Sequence, residues 1–399
     1  MLNSRIAPWP VFAEDERAAV ARVLESGKVN YWTGDQCRLF EAEYAAYVGR
    51  RHGIALANGT LALELALQAF DVVPGDEVVT TCWSFIASAS CVVARGAVPV
   101  LADVDPISRN ISAETIARVL TPRTKAIICV HLVGWPCDMD PILELASKHN
   151  LIVIEDCAQA HGARYKGRPV GSFGHAAAFS FCQDKIITTG GEGGMLLLDD
   201  EIAWKKAWAY KDHGKSWDAV HRKDHPAGFR WVHESFGTNW RMTEMQAAIG
   251  RLQLEKLDNW VRLRRNNSKY LTQRLSILPW VMAPFPGEDF YHSCYKLYLT
   301  LDATGFRDGW NRDRIVAEIT AQGMPCLAGI CPEMYRELAF ERTGLAPASS
   351  LPVARDVGTR SMLLLVHPTI TSDELDAYAD VVVNVLQEAM GGPGFGGPR

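Results

Sequence analysis

The sequence predicts an α/β protein: a large domain built on a mainly parallel sheet, followed by a smaller C-terminal α/β domain. Three observations carry this expectation. Short continuous apolar segments recur through the first two thirds of the chain, at Glu77–Thr81, Val98–Ala102, Lys125–Leu132, Leu151–Ile154, Ala176–Phe181 and Met195–Leu198. Helical patterns such as Ser112–Leu120 and Met139–His149 separate several of them. Apolar strands alternating with helices belong in a parallel sheet covered on both faces. The chain has 399 residues, 48% of them hydrophobic, enough for one large or two unequal cores.

The remaining elements follow in order. Phe12–Ser26 reads as a helix with an acidic first turn, and Thr60–Phe70 as a second, opened by Asn58-Gly59-Thr60. Asn239–Leu263 carries an amphipathic pattern through Met242, Met245, Ile249, Leu252, Leu257 and Val261, long enough to link the two domains. A strand at Tyr295–Leu301, a helix at Arg312–Gln322 and a final helix at Ser372–Ala389 complete the pattern. The large domain is therefore expected over 1–255 and the small one over 256–390, with the Gly/Pro-rich 391–399 as a disordered tail.

Composition excludes several classes of function. Lysine and arginine number 41 against 46 acids, a net charge of −5, so no basic excess marks a nucleic-acid binder. The ten cysteines form no CxxC pair and no zinc-like spacing, and read as buried reduced thiols; no metal is expected. The N-terminus lacks the apolar stretch of a signal peptide, and no run approaches the ~20 apolar residues of a membrane span. A cytoplasmic protein acting on small molecules is expected.

The chemistry concentrates between Leu151 and Gly194. Leu151-Ile152-Val153-Ile154 is a strand ending in Glu155-Asp156-Cys157-Ala158-Gln159-Ala160-His161-Gly162. Acids at the C-terminal end of a parallel strand face the crevice where such folds bind ligands. The strand Ala176–Phe181 leads to Cys182-Gln183-Asp184-Lys185 and a glycine-rich turn, Thr188-Thr189-Gly190-Gly191-Glu192-Gly193-Gly194. An aspartate at one strand end and a lysine after another suit pyridoxal phosphate. The lysine amine bonds the cofactor, and the carboxylate keeps the pyridine nitrogen protonated so that the ring accepts electrons. Taken singly, the two residues are equally readable as a helix cap and a solvated lysine. Asn58-Gly59-Thr60 is either a plain N-cap or a helix-terminal phosphate site, and Ser180 offers a further hydroxyl. His161 either orients the acid or is a satisfied core histidine.

In this order and spacing the segments resemble the DegT/StrS-type sugar aminotransferases, within fold-type I of the pyridoxal-phosphate enzymes. The matching stretches are Ala57-Asn58-Gly59-Thr60, Ser84-Phe85-Ile86-Ala87, Ala102-Asp103-Val104-Asp105, Glu155 to Gly162, Ser180-Phe181 with Lys185, Gly190 to Gly194, and Asn239 to Gly250. The resemblance implies an aspartate aminotransferase-like fold with a seven-stranded sheet, and pyridoxal 5'-phosphate as cofactor. It implies Lys185 as the Schiff-base lysine and proton shuttle, and Asp156 as partner of the pyridine nitrogen. Phe85 would stack on the ring, with Gln159 near its other face or phenolic oxygen. Gly59, Thr60 and Ser180 would bind the phosphate, and Asn239 would reach it from the neighbouring subunit of a homodimer. Arg241 either approaches this site or the substrate's diphosphate, or forms a surface salt bridge; Trp83 lines the sugar pocket or the core. Gln183-Asp184 departs from the family's usual pair, and the glycine turn is one residue longer.

The implied reaction is ping-pong transamination from L-glutamate to a nucleotide-linked 3- or 4-ketosugar, giving an aminosugar. The alternatives are a sugar dehydratase of the same family and a non-catalytic cofactor-binding sensor. In the dehydratases histidine typically replaces the lysine, so Lys185 argues against that reading. The loops Ser216–His233 and Gly329–Tyr335 are candidates for substrate selection.

Overall fold

The computed structural model describes residues 4–224 and 228–391; the expectation for 392–399 lies outside them. Seven strands form the main sheet: β1 (His52–Leu56), β2 (Glu77–Thr81), β3 (Val98–Ala102), β4 (Thr124–Val130), β5 (Ile152–Asp156), β6 (Ala176–Ser180) and β7 (Gly194–Leu198). Their order is β1-β7-β6-β5-β4-β2-β3. All neighbouring pairs are parallel except those of β7, which runs antiparallel to both β1 and β6. The exception has a simple cause. No crossover helix lies between Ser180 and Gly194, so β7 must return antiparallel to β6. The other strands run the same way and bring residues 57–60, 82–88, 156–159 and 181–185 to one edge.

Helices α1 (Glu14–Ser26), α2 (Gln36–Val48), α3 (Gly59–Ala69) and α4 (Ala87–Ala94) precede β3. Sequence patterning leaves α2 and α4 unassigned. Helix α2 buries Cys37, Phe40, Glu41, Tyr44, Ala45 and Val48, and a buried glutamate and tyrosine blur its apolar stripe. The long helix α5 (Glu244–Leu275) begins five residues later than expected and ends twelve later, and it runs without a break through 255–256. Its start is fixed by Thr243, whose hydroxyl accepts from Gln246 N while its own N–H donates to Gln246 Oε1. Residues 239–241 are extended instead: Asn239 pairs with Asp212 and Arg241 with Leu56.

A second core surrounds a four-stranded antiparallel sheet of β8 (Val281–Met282), β9 (Leu297–Leu301), β10 (Cys326–Leu327) and β11 (Ser361–Leu364), in the order β8-β9-β11-β10. The helices Arg312–Ala321 and Ser372–Ala389 and the C-terminal part of α5 supply its apolar cover. Among the described residues no helix is long and apolar enough to cross a membrane.

The first turn of α3 presses against β6 and β7. A Cβ on Gly194 would lie 2.2 Å from the Asn58 carbonyl oxygen, and one on Gly59 would lie 2.6 Å from the Ser180 Cβ. Gly194→Ala is expected to cost about 1–3 kcal/mol by forcing backbone apart, read by urea denaturation, and to weaken cofactor retention because Asn58 opens α3.

Candidate active site

A cleft of about 970 Å³ opens at the C-terminal edge of the parallel strands. Its walls bring together Gly59, Thr60, Phe85, Asp156, Gln159, Ser180 and Lys185, seven of the positions singled out from sequence. Each is placed by local structure. Asn58 caps α3 by accepting the Leu61 N–H at 3.0 Å, which takes the third N–H of the helix. The N–H groups of Gly59 and Thr60 precede any intrahelical acceptor and so present donors to the cleft. The cap and the anion cradle are thus one device. Ser180 ends β6 beside Gly59. Gln159 Oε1 accepts the Val133 N–H at 2.8 Å, which leaves its amide NH₂ as the free end. Phe85, 67% exposed, stands over the cleft.

Glu155 and Asp156 end β5 on opposite faces, and both are buried. Glu155 accepts N–H groups from Gly171, Phe173 and Gly174, each at 2.7 Å, and His131 Nε2 at 3.1 Å. Since His131 Nδ1 accepts from Cys137 N, Nε2 carries the proton. Burial works to raise the Glu155 carboxyl, but His131, the Gly174 N–H and Arg50 outweigh it and hold the group below the usual range. Asp156, 5% exposed, receives among the described residues only the Ser88 hydroxyl at 2.8 Å and the Ala158 N–H at 3.2 Å. Burial pushes its carboxyl above the usual range, with Ser88, Ala158 and the charge of Lys185 offsetting only part of that. Ser88 was not legible from sequence, because a serine inside a helix gives no sign of the strand end it faces.

Lys185 follows β6, with Nζ 3.5 Å from Asp184 Oδ1 and 5.2 Å from the centre of the Tyr295 ring. Asp184 also receives the Tyr295 hydroxyl and Lys296 Nζ, the latter at 3.3 Å. Burial acts to raise Asp184, but Lys185, Tyr295 and Lys296 together hold it below the ordinary range. Tyr295, Lys296 and Glu337 reach the cleft from the C-terminal part of the chain, and sequence reading did not single them out for the site; Gly329, Ile330, Cys331 and Met334, from the loop named for substrate selection, line it too.

Three other positions lie elsewhere. Trp83 is 1% exposed and donates Nε1 to the Tyr298 hydroxyl at 3.0 Å, so it is a core residue and not a cleft wall. Arg241 is held by Asp212 Oδ1 at 2.6 Å, away from its own chain's cleft. Asn239 is exposed and also outside that cleft.

The donor set fits pyridoxal phosphate. A helix N-terminus with Thr60 and Ser180 hydroxyls suits a phosphate, and the close Gly59–Ser180 approach shapes its cradle. An under-compensated buried carboxylate suits a protonated ring nitrogen, and an amine lies in the same cleft. Fold and site together define a pyridoxal-phosphate-dependent enzyme of the aspartate aminotransferase type. The chain belongs to the DegT/DnrJ/EryC1/StrS aminotransferase family, whose model matches residues 10–384. It is an aminotransferase with pyridoxal 5'-phosphate as its cofactor. The X-ray structure of an aminotransferase from Psychrobacter cryohalolentis superposes with a TM-score of 0.94 at 52% identity, over 96% of this chain and 99% of that one. GDP-perosamine synthase of Caulobacter vibrioides is 38% identical over 87% of this chain and 89% of its own length. A UDP-N-acetyl-3-dehydro-alpha-D-glucosamine 3-aminotransferase of Acidithiobacillus ferrooxidans is 34% identical over 96% of each chain.

His161 takes the core role. It is fully buried, with Nε2 2.8 Å from the Ser180 carbonyl oxygen and Nδ1 2.7 Å from the Tyr44 hydroxyl. A carbonyl can only accept, so Nε2–H donates to it and Nδ1 accepts from Tyr44. Burial depresses the pKa from 6.5 to about 3. The unfolded chain therefore binds a proton that the folded one refuses, and stability falls as pH drops from 6.5 towards 3. The slope is about 1.4 kcal/mol per pH unit for each such group. His292, also depressed to about 3, adds to it. In urea titrations across this window, His161→Gln should lessen the slope by one proton's worth; an unchanged slope would assign the acid sensitivity elsewhere.

Proposed function

We propose that this aminotransferase transfers an amino group from L-glutamate to a 3- or 4-ketosugar linked to a nucleoside diphosphate, supplying an aminosugar for a polysaccharide or a natural-product glycan. The observation that carries the chemical part is the placement of Lys185, Asp156 and the N-terminus of α3 around one cleft. The cleft is at the upper end of the ~300–1,000 Å³ common for small-molecule sites, large enough for a cofactor and a sugar. The substrate class is supported by two relatives whose names specify GDP- and UDP-linked sugars.

When bound, pyridoxal phosphate supplies an electron-withdrawing ring that makes the donor's Cα–H bond breakable. The chain's residues supply the rest. Asp156 keeps its charge against the ring nitrogen, because burial makes an unpaired carboxylate costly and a cation beside it favourable. Gly59, Thr60 and Ser180 would hold the phosphate, and Phe85 and Gln159 would contact the ring. Lys185 Nζ holds the cofactor between turnovers. Its free amine would take up and give back the proton of the donor's Cα. Asp184 and Tyr295 fix the lysine's approach.

Purified protein should convert spectrally with L-glutamate, releasing 2-oxoglutarate, and should then pass the amine only to ketosugars bearing a nucleoside diphosphate. A panel of such sugars, with free ketosugars as controls, checks this by product mass. Lys185→Ala should retain the fold and lose the conversion almost entirely. Equal turnover of free and nucleotide-linked sugars would remove the nucleotide from the reading.

The reading includes a homodimer with shared sites, in which Asn239 serves the partner's phosphate cradle. Asn239 is exposed, and nearby Phe229, Trp231 and Phe236 are 75, 86 and 100% exposed. So much bare aromatic surface beside one segment is characteristic of an interface. Lys185→Ala and Asn239→Ala proteins, each inactive alone, should regain activity on mixing, up to about half per mixed dimer, since one of its two sites carries neither defect. Verified subunit exchange without recovery would place Asn239 in its own subunit's site.

A further inference from the structure

Trp83 does not wall the cleft, yet the hydrogen bond of its indole leads back there. The Tyr298 hydroxyl oxygen that accepts the Trp83 N–H at 3.0 Å also accepts the Ile330 backbone N–H, at 2.9 Å. Trp83 immediately precedes Ser84 and Phe85 of the cleft wall, and Ile330 lies in that wall between Gly329 and Cys331. One oxygen atom therefore joins the loop that presents Phe85 to the loop that carries residues 329–334.

The oxygen itself is firmly placed. Tyr298 lies on β9, paired with Leu363 of β11, and is 5% exposed. The Trp83 ring meets its ring edge-on, with centres 5.8 Å apart. The Arg109 guanidinium stands 4.4 Å from the centre of the Tyr298 ring. Arg109 is in turn fixed by the Thr300 hydroxyl, on the same strand, and by the Ile107 carbonyl oxygen at 3.0 Å. The 329–334 loop is brought to this point by two ties: the Ile330 N–H to Tyr298, and the Met334 N–H to the Cys82 carbonyl oxygen at 2.9 Å. Gly329 permits the first of them. Its φ is +134°, and a Cβ there would lie 3.2 Å from the Tyr298 hydroxyl.

Without the hydroxyl, two N–H groups lose their acceptor. Trp83 is locked in the core, whereas Ile330 is half-buried on a loop. The loop is the part that yields, because its N–H regains a partner by moving towards water. Such a shift alters the cleft wall at 329–331 and leaves Asp156 and Lys185, at the ends of β5 and β6, where they are.

We propose that Tyr298 is a positioning residue for substrate selection: by holding Ile330 it sets the wall against which the larger substrate rests. Which substrate feels that wall follows from size, and this step rests on the transamination reading above. Glutamate is small and reacts beside Lys185. A ketosugar with its nucleoside diphosphate reacts at the same point but extends far beyond it, over walls that the cofactor-binding residues do not form. Tyr298 therefore acts on the sugar step and not on the glutamate step.

Tyr298→Phe removes the one oxygen and keeps the ring. In the cofactor-loaded protein, amide hydrogen exchange should quicken at residues 329–334 and stay as in the wild type around Asp156 and Lys185. Spectral conversion with glutamate should keep its rate within about twofold. The kcat/KM for the nucleotide-linked ketosugar should fall about five- to tenfold, mostly through KM, the loss of about one net hydrogen bond. An equal fall in both half-reactions, or unchanged exchange at 329–334, overturns the proposal. If Tyr298→Phe does not fold, Gly329→Ala serves in its place, since its methyl group crowds the same hydroxyl from the loop side; exchange at 330–334 must quicken and the sugar KM must rise, and failure of either overturns the proposal equally. If the wild type accepts no nucleotide-linked ketosugar, the substrate reading fails, while the exchange comparison still decides whether Tyr298 holds the loop.

Discussion

The buried carboxylate of Asp156 is the constraint around which the cleft is built. Glu155 and Asp156 are neighbours on one strand, both removed from water, yet their surroundings differ. Glu155 has three backbone N–H groups, a protonated imidazole nitrogen and a nearby arginine. Asp156 has one hydroxyl and one N–H. Alternation along β5 sends the first into the packed layer and the second into the cleft. Full satisfaction makes Glu155 a structural acid that ties the 171–174 turn to the sheet. Partial satisfaction leaves Asp156 with an electrostatic demand that a cationic ring nitrogen would meet. The functional reading therefore begins in a difference of hydrogen-bond supply, not in the identity of the acids.

The opposite end of the cleft solves a problem of space. A phosphate cradle needs bare backbone N–H groups and room for the oxygens. The chain obtains both by pressing the first turn of α3 against β6 and β7, where glycine at 59 and 194 permits an approach that any Cβ would block. His161 steadies this contact from behind through the Ser180 carbonyl. Its depressed pKa is the consequence of being buried there as a neutral donor and acceptor. The glycine turn after Lys185 serves the same geometry. Gly190 and Gly191 adopt φ of +85° and +130°, which lets the chain double back so that β7 pairs with β6 rather than crossing over.

Much of this was legible in the sequence, for identifiable reasons. Strands buried on both faces leave unbroken apolar runs, and the loops at their ends carry the chemistry, so β2 to β7 and seven cleft residues emerged together. Alternatives stayed open where a side chain's role depends on a distant partner. Trp83 lies next to the cleft residues Ser84 and Phe85, yet its indole turns inward to Tyr298, more than two hundred residues away. For Arg241 the sequence leaves a salt bridge and a site role side by side, and only the fold brings Asp212 beside it. The onset of α5 was misplaced because Asn239–Met242 shares the helix's apolar periodicity, while its backbone pairs with Leu56 and Asp212. Periodicity reports which face is buried, and an extended segment can satisfy a short stretch of it equally well.

The C-terminal part of the chain enters the site through the lysine's neighbour, not through the lysine itself. Asp184 draws the Tyr295 hydroxyl and Lys296 to the loop that carries Lys185, and Tyr295 in turn gives its carbonyl to Arg264 on α5. Two lysines and an arginine thus surround one aspartate within a partly desolvated region. The excess of positive charge there exceeds what Asp184 alone can neutralise. The departure of Gln183-Asp184 from the usual pair before the lysine acquires a physical sense in this setting: position 184 is where the second core is fastened to the catalytic loop.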